Sequence, residues 1–216
     1  MRIAAQIISW LFIPLFMPIY ALLLVFFVPA ENAVVFSNSL FFFPLVYKTF
    51  ILTVFILLGV LAPAMSFIYL KLINVISTLE MEDRSERNIP LLITLIYCLL
   101  LYFSFFYVMS MNIYLPKYIH ALPFSGVLVA AACIFVNYKM KISLHAAGAG
   151  IFSGFIFAYL FEQIKFEFWL VPLVIVLSGL VMSARLYLNK HSHLEIYIGW
   201  SVAFVITLLS TFLYPF

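Results

Sequence analysis

With 67% of its 216 residues hydrophobic, only 9% charged and a mean hydropathy of +1.22, the chain is too apolar for a soluble domain and belongs in a lipid bilayer. Its net charge of +3 is small and scattered, and no basic run interleaves with aromatics. That excludes nucleic acid as a partner and leaves acidic membrane lipids as the anionic ones.

Arg2 opens an apolar stretch over 3–29 that is longer than a signal-peptide core and lacks a small-x-small cleavage pattern, so a retained first helix is predicted. About 20 mostly apolar residues cross the hydrocarbon. On that basis spans are predicted over 5–27, 47–73, 90–111, 118–137, 144–161, 168–186 and 196–214. The expected fold is all-α, a polytopic transmembrane helix bundle of six to seven spans forming one integral-membrane domain, 1–216. Its short loops and compact length fit a bacterial inner-membrane protein.

The segment 30–43, with Glu31 and a Phe-rich end, reads as an interfacial loop or a shallow amphipathic segment. Cys98 and Cys133 fall inside apolar spans without the neighbours of a metal or redox site, so they read as small buried hydrophobes. Small residues over 146–154 would let another helix, a head group or a lipid tail approach closely.

Counting crossings puts the N-terminus and the loops after spans two, four and six on one face. The other face receives Glu31, Lys48, Lys117, Glu162, Lys165 and Glu167, expected to be ordinary interfacial charges. Lysines and arginines favour the first face as cytoplasmic, with Arg2, Lys71, Arg84, Arg87, Lys139, Lys141, Arg185 and Lys190 there. Arg84, Arg87, Lys141 and Arg185 are also candidate anion ligands, and without them the balance nearly vanishes, so orientation stays open.

Three polar islands share that first face. Residues 80–90 carry Arg84 and Arg87 before a helix-starting Pro90. Alone, they read as a solvated loop anchored to lipid phosphates. Residues 139–145 carry Lys141, Ser143 and His145; a helix starting near Ser143 would bring free N–H groups, a hydroxyl and a lysine to one anion site. An N-cap serine with snorkelling lysines explains the same residues equally well. Residues 183–195 place Arg185, His191 and Glu195 together, with Glu195 four residues after His191 and hence on the same helical face. A carboxylate there holds an imidazole in one tautomer and stabilises its cation, as a nucleophilic or acid/base histidine requires. His193 points elsewhere.

Together the islands resemble the membrane lipid phosphatases of the type 2 phosphatidic acid phosphatase superfamily, whose signature reads Lys-x6-Arg-Pro, Pro-Ser-Gly-His and Ser-Arg-x5-His-x3-Asp. Arg185, His191 and Glu195 match the third part, Ser143 and His145 the second, and Arg87 with Pro90 loosely the first. Glu80 stands at the family lysine, Ile142 and Leu144 replace the proline and glycine, Ala184 precedes Arg185, and Glu195 replaces aspartate. The resemblance implies a family-like core over 75–214.

It further implies that His191 attacks phosphorus and forms a phosphohistidine, that Glu195 orients it, and that His145 protonates the leaving oxygen. Arg87, Arg185 and Lys141, with N–H groups near Ser143 and Arg84 as a further cation, would hold the phosphate; no metal and no cofactor are implied. The expected substrate is a lipid phosphate such as phosphatidic acid, phosphatidylglycerol phosphate, an isoprenyl pyrophosphate or a lipid A phosphate. A lipid phosphotransferase, a catalytically inactive lipid-binding relative and an anion or proton transporter remain as alternatives. The uniformly apolar mid-span positions argue against the last.

Overall fold

The computed structural model describes residues 2–32, 39–81 and 83–215. Helices α1 (Arg2–Leu11) and α2 (Met17–Phe27) are followed by strand β1 (Ala30–Asn32), then α3 (Leu45–Val54) and α4 (Ala62–Leu72). The chain continues through α5 (Asn88–Ser110), α6 (Lys117–Lys139), α7 (Leu144–Phe161), strand β2 (Gln163–Phe166), α8 (Leu170–Tyr187) and α9 (His193–Phe212). Among the described residues, six helices are long and apolar enough to cross a membrane, with α3 and α4 counted as one continuous helix, Leu45–Leu72. The pair Arg2–Leu11 and Pro14–Phe27 raises the number to seven if its two bent halves form one span.

Where the sequence predicts a single first span over 5–27, the structure therefore has two helical pieces with a 46° bend between them. Pro14 is the cause. The residue before a proline is pushed out of the helical region, and Ile13 adopts φ −57° and ψ 138° before the chain resumes as a 3₁₀ turn. Pro63 has a milder effect inside the second span, where it has no N–H for the Gly59 carbonyl and its ring would collide with it. A π-helical segment over Phe55–Leu61 opens the ladder at that point, so the helix continues.

The molecule is a helical bundle as expected, and the segment 30–43, expected as an interfacial loop or a shallow amphipathic segment, adds a short strand to it. Part of that segment, 33–38, lies outside the described residues, but β1 pairs antiparallel with β2, with Ala30 opposite Phe166 and Glu31 opposite Lys165. Leu40–Phe42 then forms a 3₁₀ turn. The charges nearby also depart from expectation. Lys48 is buried and donates to the carbonyls of Phe26 at 2.7 Å and Phe41 at 2.5 Å. Lys117, also buried, pairs with Glu162 at 2.6 Å, and the Tyr118 hydroxyl donates to the same carboxylate. These groups fasten helix ends together, because a cation taken out of water needs partners.

Helix α7 is the centre of the bundle: 72% of its span is buried, against 50% or less for the other spans. It packs on α9, α8, α2 and α6. Its small residues serve this contact. A Cβ on Gly150 would lie 2.5 Å from the Trp200 carbonyl and 2.8 Å from Ala203 Cβ, and one on Gly154 would lie 2.6 Å from the Phe204 carbonyl. The two helices thus meet backbone to backbone.

Candidate functional site

The third island is shaped by how α8 ends and α9 begins. Asn189 takes the left-handed conformation, φ 53°, just past the α8 C-terminus. There the Lys190 N–H donates to the Arg185 carbonyl at 3.2 Å and the Asn189 N–H to Leu186 at 2.9 Å. This is the Schellman ending, which asparagine tolerates as glycine does. Ser192 then caps α9, its hydroxyl accepting from the Glu195 N–H at 3.3 Å.

His191 therefore sits just outside α9 rather than on its face, as the four-residue spacing alone suggests. The capping turn still brings the pair together, with His191 Nδ1 2.7 Å from Glu195 Oε2. Arg185 lies in the last turn of α8 and Glu195 in the first turn of α9, where each charge suits its helix dipole.

Glu195 also ties the second island to the third, because its carbonyl accepts from the Ser143 N–H at 3.3 Å. Gly199 permits this approach: a Cβ there would stand 2.8 Å from the Ser143 carbonyl. Ser143 is buried and caps α7, its hydroxyl accepting from the Ala146 N–H at 3.4 Å. Lys141 reaches across to donate to the Lys190 carbonyl at 3.3 Å.

Arg87 is 3% exposed and joins the first island to the second, with Nε donating to the Met81 carbonyl at 2.8 Å and Nη1 to the Ile142 carbonyl. Met81 itself is held at φ 48°. Arg84 donates outward to the Lys139 carbonyl at 2.9 Å and does not line the cavity described below.

Arg87, His145, Arg185 and His191 converge on one cavity of about 340 Å³, which Glu80 and Ser9 also line and whose remaining wall is almost wholly apolar. Of the other sequence candidates, Glu195 supports His191, Ser143 is a cap, and Lys141 approaches closely enough to act on His191 electrostatically. Burial first, then Arg87, Arg185, Lys141 and Lys190, push His191 down to about 3. The imidazole is thus neutral at pH 7. Its Nδ1–H donates to Glu195 and Nε2 keeps its lone pair. Among the described residues, no group of three or more His, Cys, Asp or Glu side chains is arranged to hold a metal ion.

Two contributors escape the motif reading. Glu80 pairs with Lys190 at 3.1 Å and with Arg185 at 3.8 Å, placing a carboxylate on the cations of the site. Its position at the lysine of the signature that the islands resemble was the available signal. The other is α1: the Ser9 carbonyl accepts from His145 Nε2 at 3.2 Å, and Ser9 and Trp10 line the cavity. No signature residue lies that early in the chain. Gly148 makes this covering possible, since a Cβ there would lie 2.9 Å from Pro14 Cα.

Compared with protein-family models, curated proteins and solved structures, the chain has no match.

Proposed function

We propose that the protein is a membrane lipid-phosphate phosphatase of the type 2 phosphatidic acid phosphatase kind, working through a phosphohistidine. The observation that carries this reading is the neutral, carboxylate-held His191 sharing a cavity with Arg87, Arg185 and His145, whose wall beyond these groups and Glu80 suits a hydrocarbon chain. His191 Nε2 attacks phosphorus, the bond from phosphorus to the lipid oxygen breaks, and His145, entering the step as the imidazolium, gives that oxygen a proton and becomes neutral. Water then attacks the phosphohistidine, His145 takes the water proton, and inorganic phosphate leaves with His191 restored. Arg87 and Arg185 hold the non-bridging oxygens throughout. For His145 to serve as the acid, Nε2 must leave the Ser9 carbonyl, or Nδ1 must face the substrate.

The test is phosphate release by the purified protein from a panel of lipid phosphates with a chelator present. His191→Ala should reduce release by at least about a thousandfold and His145→Ala by about a hundredfold or more. Release unaffected by His191→Ala would overturn the proposal. A non-hydrolysing lipid-binding protein is the second reading, favoured by Glu80 on the site's cations and by the occupied His145. Tight lipid-phosphate binding without release would establish it.

A further inference from the structure

The cavity continues far beyond the polar groups at its mouth. Arg87, at the N-cap of α5, and Leu91, Thr94, Cys98 and Leu101, on one face of that helix, line it at successive steps of four, three, four and three residues. At 1.5 Å per helical residue this stripe is ~20 Å long. Helix α6 lines it in the opposite direction from Cys133 to Leu122, with Gly126 and Ala130 between. Thr94 gives its hydroxyl to the Pro90 carbonyl at 2.9 Å, so no polar group on this stripe of α5 is offered below Arg87. At the far end stand Phe55, Gly59 and Leu101.

We infer that this chamber holds the tail of the substrate, and that the substrate carries one long hydrocarbon chain, as in an alkyl or prenyl phosphate, rather than two acyl chains. The inference rests on the phosphatase reading for the polar end alone. A cavity of about 340 Å³ against a helix wall ~20 Å long has room for one such chain rather than two. Its depth exceeds a single leaflet, about half of a ~30 Å hydrocarbon core, so it suits a chain longer than one leaflet accommodates. The rim includes Trp10 and Ile68, 65% and 49% exposed, which leaves a sideways opening between α1 and α4 through which a membrane-borne chain can enter. Gly59 sets the depth: a Cβ there meets only Leu101 Cδ2, at 3.8 Å, so a larger side chain has room to grow into the chamber.

The experiment uses the full chain in lipid nanodiscs with n-alkyl monophosphates from octyl to eicosyl, and with dioleoyl phosphatidic acid. Gly59→Phe is compared with Gly179→Phe, a control because a Cβ on Gly179 meets nothing within 4 Å. kcat/KM should climb with chain length and exceed that for phosphatidic acid by about tenfold, and Gly59→Phe should cost the longest chains about tenfold while sparing octyl phosphate. Equal turnover of phosphatidic acid and the longest alkyl phosphate, or an equal loss at every length in Gly59→Phe, would overturn the inference. A non-hydrolysable alkyl phosphonate with a diazirine at its tail separates the two proposals. Crosslinks at Leu101 or Leu122 without any phosphate release uphold the chamber and remove the phosphatase; release with crosslinks only at Trp10 and Ile68 does the reverse.

Discussion

His191 combines deep burial with four nearby cations, and the consequence is a distinctive pH behaviour. Its folded pKa, about 3, lies below the ordinary histidine value of ~6.5. Between those values the unfolded chain binds a proton that the folded chain refuses, so stability falls as pH drops from ~6.5 towards 3. His191→Gln should flatten that part of a melting-temperature profile. With His191 as the proposed nucleophile, its acid limb in kcat/KM should lie below pH ~5, and a His191-dependent limb near 6.5 would contradict the assignment. Glu80 gives the complementary expectation. On the phosphatase reading an incoming phosphate displaces its carboxylate from Lys190 and Arg185, so Glu80→Gln should lower KM about three- to fivefold with kcat nearly unchanged, the scale of a half-exposed ion pair. A rise in KM would mean that Glu80 positions the cations instead of competing for them.

The pairing of α7 with α9 aligns the site. Its sequence signal was the run of small residues over 146–154, legible as a close-approach surface but not as to what approached. The run divides the work: Gly150 and Gly154 serve α9, whereas Ala147 and Gly148 face the cavity. Only the fold decides this, because glycine records that space is needed and not which neighbour needs it. Gly150→Val should therefore cost stability by about 1–3 kcal/mol, read as a lower melting temperature, through its clash with the Trp200 carbonyl and Ala203. Gly199→Ala acts nearer the chemistry. Its added methyl presses on the Ser143 carbonyl and moves the start of α7 away from α9, so activity should fall more than stability does. Equal losses in the two would show that α7 and α9 are not what sets the spacing of His145 and His191.

At the scale of the molecule, crossing counts put the three islands on one face, because hydropathy marks spans and their number sets sides, and the structure brings the islands together at one end of the bundle. The contacts from Arg87 to Ile142, Glu195 to Ser143 and Lys141 to Lys190 all lie there. Less legible was the role of the N-terminal segment: Pro14 turns a predicted span into two pieces, and the piece that covers His145 has no charged side chain in the site to betray it. Nor was the β1–β2 ribbon visible, since three or four residues are too few for alternation to register. The two-sided arrangement makes one demand. His193, exposed just after the site, and Glu167, exposed beyond the ribbon strand β2, must lie on opposite sides of the membrane. The native Cys98 and Cys133 lie within spanning helices, so an impermeant maleimide reports on an introduced cysteine. In intact cells it should label only one of His193→Cys and Glu167→Cys, and permeabilisation should expose the other. Which is labelled first decides the face on which the site works; labelling of both in intact cells would require an odd number of crossings between 167 and 193 to be abandoned, and with it the convergence of the three islands on a single surface.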